Sequence, residues 1–288
     1  MSYPYLSDVV RDVFGVNLPL PIPMFGLLVG IAFFVGLRVA NLEVKRLLPE
    51  QPANFMDNAG LIAFFTGLLG ARLFHLLEHP REFMADPMAM LLSRGGFTIF
   101  GGLIVGTVCG LAYGRAKRAA LAPLLDAVAP AIMLSYAIGR IGCQISGDGD
   151  WGIAANLAAK PDWLPTWFWA QTYDGNISGI QIPPPGVYPT PLYETLMSLI
   201  AFAVLWRLRR HSHAPGWLFA VYLLLAGVER LAVEPIRVNT TYDLAGLIFT
   251  QAQFIATLLV IAGCFGMWWL SRSRPAGEPQ TTPREPTP

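Results

Sequence analysis

Arg140 lies just beyond an apolar stretch, residues 121–138, that is long enough to cross a lipid bilayer. A charge inside hydrocarbon costs roughly 2.5–3.5 kcal/mol, so an arginine at this depth needs a specific reason. The flanking glycines have no side chains, so a bulky group can approach the backbone closely. Asp148 and Asp150 follow, at the depth of lipid headgroups. This pattern predicts a site for a phosphate-bearing lipid; the alternative is an arginine that snorkels from a glycine-rich helix end.

Further arginines near the ends of apolar stretches suit the same anion. A guanidinium group pairs bidentately with phosphate, so Arg140 and Arg237 can clamp one phosphate from two different helices. Arg72 and Arg230 have carboxylates close in sequence and are equally well interpreted as members of structural ion pairs. Glu194 stands at the start of a later apolar stretch, and we expect it to hold one of the arginines.

Metal-assisted and serine-based chemistry have less support. His75 and His79 are one helical turn apart, but no third ligand stands out in the sequence, and His79 precedes Pro80. Ser146 has no obvious histidine partner. The sequence therefore predicts a site that needs neither a metal nor a cofactor.

The composition is that of a membrane protein. Of the 288 residues 54% are hydrophobic and only 14% are charged. The net charge of +1 predicts no nucleic-acid partner. We expect three regions: an external segment at 1–19, a membrane domain at 20–271, and a disordered tail at 272–288 that is rich in Pro, Thr and Glu.

The membrane domain is predicted to be an all-α integral membrane protein with seven transmembrane helices. Glycine is frequent inside the apolar stretches, as is common where membrane helices pack closely. The predicted spans are 21–40, 58–77, 97–113, 121–142, 190–208, 216–233 and 247–270.

The loop cations predict the orientation. They concentrate after the first, third, fifth and seventh spans, which places the N-terminus outside and the C-terminus in the cytoplasm. Most other ionisable residues then gather in the outer half of the membrane, at the level where Gly101 and Gly102 begin the third span. The external loop 143–189 carries four tryptophans and is predicted to lie on the outer membrane surface. The residues gathered in the outer half are Arg72, His75, Arg140, Glu229, Arg230, Glu234 and Arg237.

Five blocks, in order over roughly residues 20–270, resemble the prolipoprotein diacylglyceryl transferase family. Each block is weak alone, and together they are specific. The blocks are Gly70-Ala71-Arg72-Leu73, Phe100-Gly101-Gly102-Leu103, Gly139-Arg140-Ile141-Gly142 with Gly147-Asp148 and Trp151-Gly152, Pro189-Thr190 with Leu192-Tyr193-Glu194, and Val233-Glu234 with Arg237.

The resemblance implies a multi-pass enzyme of the bacterial inner membrane. Its donor would be phosphatidylglycerol, drawn from the surrounding membrane lipids, and its acceptor the lipobox cysteine of a preprolipoprotein, which would receive a thioether-linked diacylglyceryl group. The resemblance makes Arg140 and Arg237 the catalytic residues. The substrate-binding residues it implies are Gly101, Gly102, Gly142, Asp148, Gly152, Tyr193, Glu194, Glu234 and Arg72.

Some positions depart from the family pattern. Phe25 stands where many members have a tyrosine, and Phe100 and Tyr188 stand where they have histidines. Asparagine in the signature is replaced by Cys143 and Ser146. These departures keep open a re-purposed homologue that binds anionic lipid or a lipidated partner. An anion transporter is a third hypothesis, but it requires polar residues through the whole membrane thickness.

Overall fold

The computed structural model describes residues 2–92, 96, 98–244 and 247–272, and these are mostly helical. The predicted disordered tail falls almost entirely outside the described residues. Short 3₁₀ turns cover Leu157–Ala159 and Glu234–Ile236. The helices are α1 (Leu6–Phe14), α2 (Met24–Leu47), α3 (Phe55–Glu78), α4 (Pro80–Ala85), α5 (Pro87–Leu92), α6 (Ile99–Ala116), α7 (Leu121–Ser146), α8 (Thr166–Trp169), α9 (Thr190–Leu208), α10 (Trp217–Val233) and α11 (Gln251–Ser271).

Five of the described helices, namely α2, α3, α7, α9 and α11, are long and apolar enough to cross a membrane. The remaining two predicted spans correspond to the shorter helices α6 and α10. All seven predicted stretches are thus helical over most of their length, and the chain is a multi-pass membrane protein.

The start of the last predicted span differs from the expectation. Leu247–Thr250 forms strand β2, which pairs antiparallel with strand β1, Thr241–Leu244. Helix α11 begins only after Thr250, whose hydroxyl accepts a hydrogen bond from the Gln253 backbone N–H at 3.0 Å, while the Gln253 side chain accepts one from the Thr250 N–H at 3.0 Å. This capping box satisfies two backbone donors and sets the helix boundary. The all-α domain therefore carries one small hairpin.

The chain divides into two compact units, residues 37–128 and residues 1–36 with 129–288. In unit 37–128, helices α3 and α6 approach so closely that side chains are excluded between them. A Cβ atom at Gly70 would lie 2.6 Å from the Gly101 carbonyl oxygen, and one at Gly101 would lie 2.5 Å from the Gly70 carbonyl oxygen. Small residues at such crossings are typical of membrane helices. The close packing of α3 and α6 therefore by itself requires glycine at position 101, one of the predicted site residues.

In the other unit, α10 and α11 pack in the same way. A Cβ at Gly227 would lie 2.7 Å from the Ala256 carbonyl oxygen, and one at Gly263 would lie 2.6 Å from the Leu224 backbone nitrogen. An apolar cluster joins α7, α9 and α10. Its buried members are Met133, Ala201, Leu205, Leu218 and Val221.

The connection between α7 and α9 is folded rather than a plain polar loop. Helix α7 runs four residues beyond the predicted end of its span, so the connection covers 147–189. Tyr173 is buried there, and its hydroxyl donates to the Gln144 side chain at 2.8 Å. Isolated backbone bridges tie Val187 to Ala154 and to Gln171. This packing holds the start of the connection, which carries Asp150, in a defined position.

Candidate functional site

The carboxylate of Glu194 is the centre of a cluster of arginines in the unit formed by residues 1–36 and 129–288. Its side chain is 1% exposed. Arg140 donates to it from Nε at 2.6 Å and also from a terminal nitrogen. Arg237 donates at 3.0 and 3.1 Å to the two carboxylate oxygens, and Arg230 at 3.4 Å. One buried carboxylate thus orients three guanidinium groups, and such charge-assisted bonds are strong.

A second carboxylate, that of Asp150, bridges two of these arginines. One oxygen of Asp150 accepts from Arg140, and the other accepts from Arg237 at 3.1 Å. Burial alone would raise the pKa of Asp150, but the adjacent Arg140 and Arg237 guanidinium groups hold this pKa below its ordinary value. The Asp150 side chain is 42% exposed, so an ionised carboxylate lies between the arginine pair and solvent.

The backbone around Gly152 places Arg237 beside Asp150. Gly152 and Arg237 form an isolated antiparallel bridge, and the Ile153 N–H donates to the Ile236 carbonyl at 2.8 Å. A Cβ at position 152 would lie only 2.4 Å from the Ile236 carbonyl oxygen. Gly152, which the sequence assigned to substrate binding, therefore has a backbone role in assembling the site.

Glu234 anchors the far side of the cluster. Its carboxylate lies 2.9 Å from Arg230, accepts from the Asn239 amide at 2.8 Å, and accepts from the Thr250 hydroxyl. The pairing of Arg230 with Glu234 is one of the ion pairs that the sequence allowed. Three guanidinium groups and three carboxylates thus meet in one connected network. They come from α7, α9 and α10 and from the segments that follow α7 and α10.

Arg237 has one donor atom without a partner among the described residues. This atom, Nε, is buried. A buried polar group without a partner costs free energy, and in functional sites such groups often meet the ligand. Displacing Asp150 would free further donors on Arg140 and Arg237 and leave a net positive charge. With Asp150 displaced, the cluster could accept an anion.

The other predicted site residues in this unit shape the surroundings. Asp148 accepts from the Asp150 N–H at 3.2 Å and so helps to form the turn. The Tyr193 hydroxyl donates to the Phe168 carbonyl at 2.7 Å. A Cβ at Gly142 would lie 3.3 Å from both Phe25 and Leu28, so helix α2 packs closely there. All of these contacts are formed between residues of the protein itself.

Arg72, Gly101 and Gly102 belong to unit 37–128 and are described within it. Arg72 is buried and donates to the backbone carbonyls of Gly96, at 2.8 Å, and Met90. A Cβ at Gly102 would lie 3.2 Å from the Gly67 carbonyl oxygen. The cluster itself unites four predicted residues: Arg140, Glu194, Glu234 and Arg237.

Two members of the cluster, Asp150 and Tyr136, are not among the predicted site residues. From the sequence Asp150 is only a neighbouring acid, whereas in the structure it contacts both Arg140 and Arg237. Tyr136 donates to Glu194 at 3.4 Å, and the Arg140 guanidinium lies 5.7 Å from the centre of its ring. Tyr136 and Arg140 are four residues apart on α7, a spacing that brings side chains together on a helix and was available as a signal.

A cation is disfavoured next to this cluster. Cys143, Asp148 and Asp150 lie close enough to share one. However, both Asp150 oxygens already accept from arginines, and the two guanidinium charges oppose another positive ion. The arrangement suits binding and stabilisation of an anionic group.

The fold and the site together define a class: a multi-pass helical membrane protein with a cluster of paired arginines and carboxylates. The chain belongs to the prolipoprotein diacylglyceryl transferase family, whose sequence profile matches residues 12–269. Three relatives are named phosphatidylglycerol–prolipoprotein diacylglyceryl transferase, each 30% identical. They come from Corynebacterium diphtheriae (89% of this chain and 91% of the relative covered), Bacillus cytotoxicus (84% and 86%) and Geobacillus kaustophilus (89% and 90%).

Proposed function

We propose that this protein transfers the diacylglyceryl group of phosphatidylglycerol to the lipobox cysteine of preprolipoproteins in the bacterial inner membrane. Family membership over residues 12–269 supports the reaction class. The observation that carries the proposal is that Arg140 and Arg237 both bind Glu194 and Asp150. The two fixed guanidinium groups supply preorganised positive charge for a phosphate leaving group.

In the proposed reaction, the cysteine thiolate attacks the glycerol carbon that bears the phosphate ester oxygen. A carbon–sulfur bond forms as the carbon–oxygen bond breaks, and the bonding pair leaves with glycerol phosphate. The products are the thioether and glycerol phosphate, and the thiol proton is lost to solvent or a base. No oxidant or reductant is needed.

The arginines act on the charge that develops in this step. The phosphodiester of phosphatidylglycerol carries one negative charge, which matches the carboxylate of Asp150 that it would displace. As the ester bond breaks, the phosphate gains a second negative charge. Arg140 and Arg237 therefore bind the transition state more strongly than the ground state, which is the condition for acceleration.

Glu194 and Asp150 have different parts in this scheme. Glu194 is buried and receives all three arginines, so it stays in place and holds the guanidinium groups in position. Asp150 is on the solvent-exposed side and follows two glycines with left-handed backbone, Gly147 and Gly149, at φ values of 61° and 100°. The phosphate replaces Asp150 and leaves Glu194 untouched.

The thiol must be deprotonated without the histidine and tyrosine that many family members carry. Phe25 and Phe100 cannot accept a proton. A free cysteine has a pKa of about 8.5, and a nearby cation lowers it. The field of the arginine cluster favours the thiolate of the acceptor in this way.

We place the site at the outer membrane face, in a protein with seven spans, an external N-terminus and a cytoplasmic C-terminus. The distribution of loop cations supports this orientation. It gives the arginine cluster access to outer-leaflet phosphatidylglycerol and to lipobox peptides that emerge on the outer side.

A second candidate is a homologue that binds anionic lipid without transferring it, which the phenylalanines at positions 25 and 100 favour. Complementation separates the two. The gene is expressed in a bacterium depleted of its own transferase, and a model preprolipoprotein is followed by gel shift and mass spectrometry. Growth and a thioether-linked diacylglyceryl adduct are expected. Lipid binding without the adduct would establish the second candidate.

A further inference from the structure

The last turn of α3 gathers three side chains that the proposed transfer does not use. His75, Glu78 and His79 each offer one ligand atom, and these atoms all lie within 4.8 Å of one another. The sequence revealed only the two histidines. The structure supplies the third donor, because positions 75 and 78 share one face of α3 and His79 follows directly at the C-terminus of this helix.

We infer that His75, Glu78 and His79 form a binding site for a divalent transition metal of the zinc type. Two imidazole nitrogens and a carboxylate oxygen form a ligand set that zinc uses in proteins. Ligand atoms in a tetrahedral zinc site lie roughly 3.3 Å apart. The three atoms, which lie within 4.8 Å of one another, must therefore close by at most about 1.5 Å. Glu78 is exposed and lies at the end of a candidate span, which gives the ion a route from water.

The hydrogen bonds around the cluster orient two of the three ligands. Nδ1 of His79 lies 3.0 Å from the His75 carbonyl oxygen, and donation there leaves Nε2 with the lone pair that a metal requires. The Thr98 hydroxyl donates to Glu78 at 2.6 Å. Such outer contacts are characteristic of ligating histidines and carboxylates.

Gly96 provides the space for the third ligand. A Cβ atom at this position would lie 2.3 Å from Nε2 of His75, and the backbone φ of 82° is itself one that glycine favours. Any other residue at position 96 would push the imidazole ring aside. The ring of His75 also lies 4.5 Å from that of His79, centre to centre.

The bound ion would stabilise the junction between α3 and α4. His79 is the residue between the two helices, at the C-terminus of α3 and directly before Pro80. With three protein ligands, a fourth position stays open to water. This ligand set suits a cation, whereas the arginines of the other cluster suit an anion.

Cobalt titration of the full-length protein in detergent, after tag removal and chelation, tests the site. We expect one equivalent to bind, with the d–d absorption of a nitrogen- and oxygen-ligated ion and without thiolate charge-transfer bands from the three cysteines. Zinc should displace it and raise Tm. His75→Ala, His79→Ala and Gly96→Ala should each weaken binding at least tenfold.

The four histidines of the sequence provide a matched control, because His211→Asn with His213→Asn removes the other pair. This double variant should bind like the wild type. Glu78→Gln changes only an exposed side chain and keeps the test informative if a histidine variant misfolds. Loss of binding in the control, a thiolate band, or millimolar binding unchanged in Glu78→Gln and His79→Ala would identify an adventitious ion only and overturn the proposal.

Discussion

Arg140 and Arg237 donate to the same buried carboxylate, that of Glu194, although they come from helix α7 and from the segment after α10. They also share Asp150 on the exposed side. The buried carboxylate therefore fixes the arginine pair, and the exposed one is the group that the phosphate displaces in the proposed reaction.

Arg140→Ala should lower turnover by about two to three decades, because loss of one preorganised charge stabiliser costs roughly 2.7–4 kcal/mol. Arg140→Lys should recover little, since an ammonium group cannot replace the planar fork. The measurement is the rate of adduct formation by purified enzyme with phosphatidylglycerol. Arg207→Ala, at an exposed position near the end of α9, is the control and should keep wild-type turnover. Near-normal rates for both Arg140 variants would show that Arg140 has only a structural part in the cluster.

Asp150→Asn should lower KM for phosphatidylglycerol severalfold and strengthen product inhibition by glycerol phosphate. The reason is that the variant lacks the charge that competes with the phosphate for Arg140 and Arg237. Initial rates at varied lipid and product concentrations provide both constants. Asp162→Asn, an exposed change in the same connection, should leave them unchanged. A higher KM in Asp150→Asn would show that Asp150 assists substrate binding.

Gly152→Ala should destabilise the protein by about 1–3 kcal/mol and lower its activity, because the new methyl group meets the Ile236 carbonyl at 2.4 Å. Gly139→Ala is the matched control from the same motif, since a Cβ there meets nothing within 4 Å. Thermal unfolding in detergent compares the two. Equal Tm values would mean that the backbone bridge between residues 152 and 237 does not constrain position 152.

Transfer should accelerate as the pH rises toward about 8.5, as the acceptor thiol ionises. Activity should not require a histidine at position 100. A pH–rate profile of the wild type beside Phe100→His and Phe100→Tyr checks both statements. A wild type that is inactive at every pH, with activity appearing only in Phe100→His, would favour the non-catalytic homologue.

Reporter fusions should place the C-terminus after Arg274 in the cytoplasm and the connection near Asp174 outside. The excess of loop cations after alternate spans is the physical basis. A phosphatase that is active only outside and a fluorescent protein that is active only inside give complementary readouts. The reverse pattern would turn the Arg140 cluster toward the cytoplasm and remove its access to exported lipoproteins.

The sequence by itself determined that the protein is a helical membrane protein, and it predicted Arg140 and Arg237 as the catalytic arginines. Spans such as 190–208 can be predicted from the sequence, because the free energy of placing a residue in lipid depends mainly on that residue's own type. Arg140 can be singled out in the same way, because a charge next to hydrocarbon carries an insertion free-energy penalty that can be recognised without knowing its partners. The family motifs around Arg140 and Arg237 added the expected chemistry.

Only the tertiary structure decided which groups meet. The sharing of Glu194 by Arg140, Arg230 and Arg237 depends on the packing of α7, α9 and α10, which no local pattern specifies. The bridging by Asp150 depends on a connection whose shape is set by distant contacts. A carboxylate partner and a close glycine contact are properties of pairs of residues that lie far apart in the sequence. They become visible only when the chain has folded back on itself.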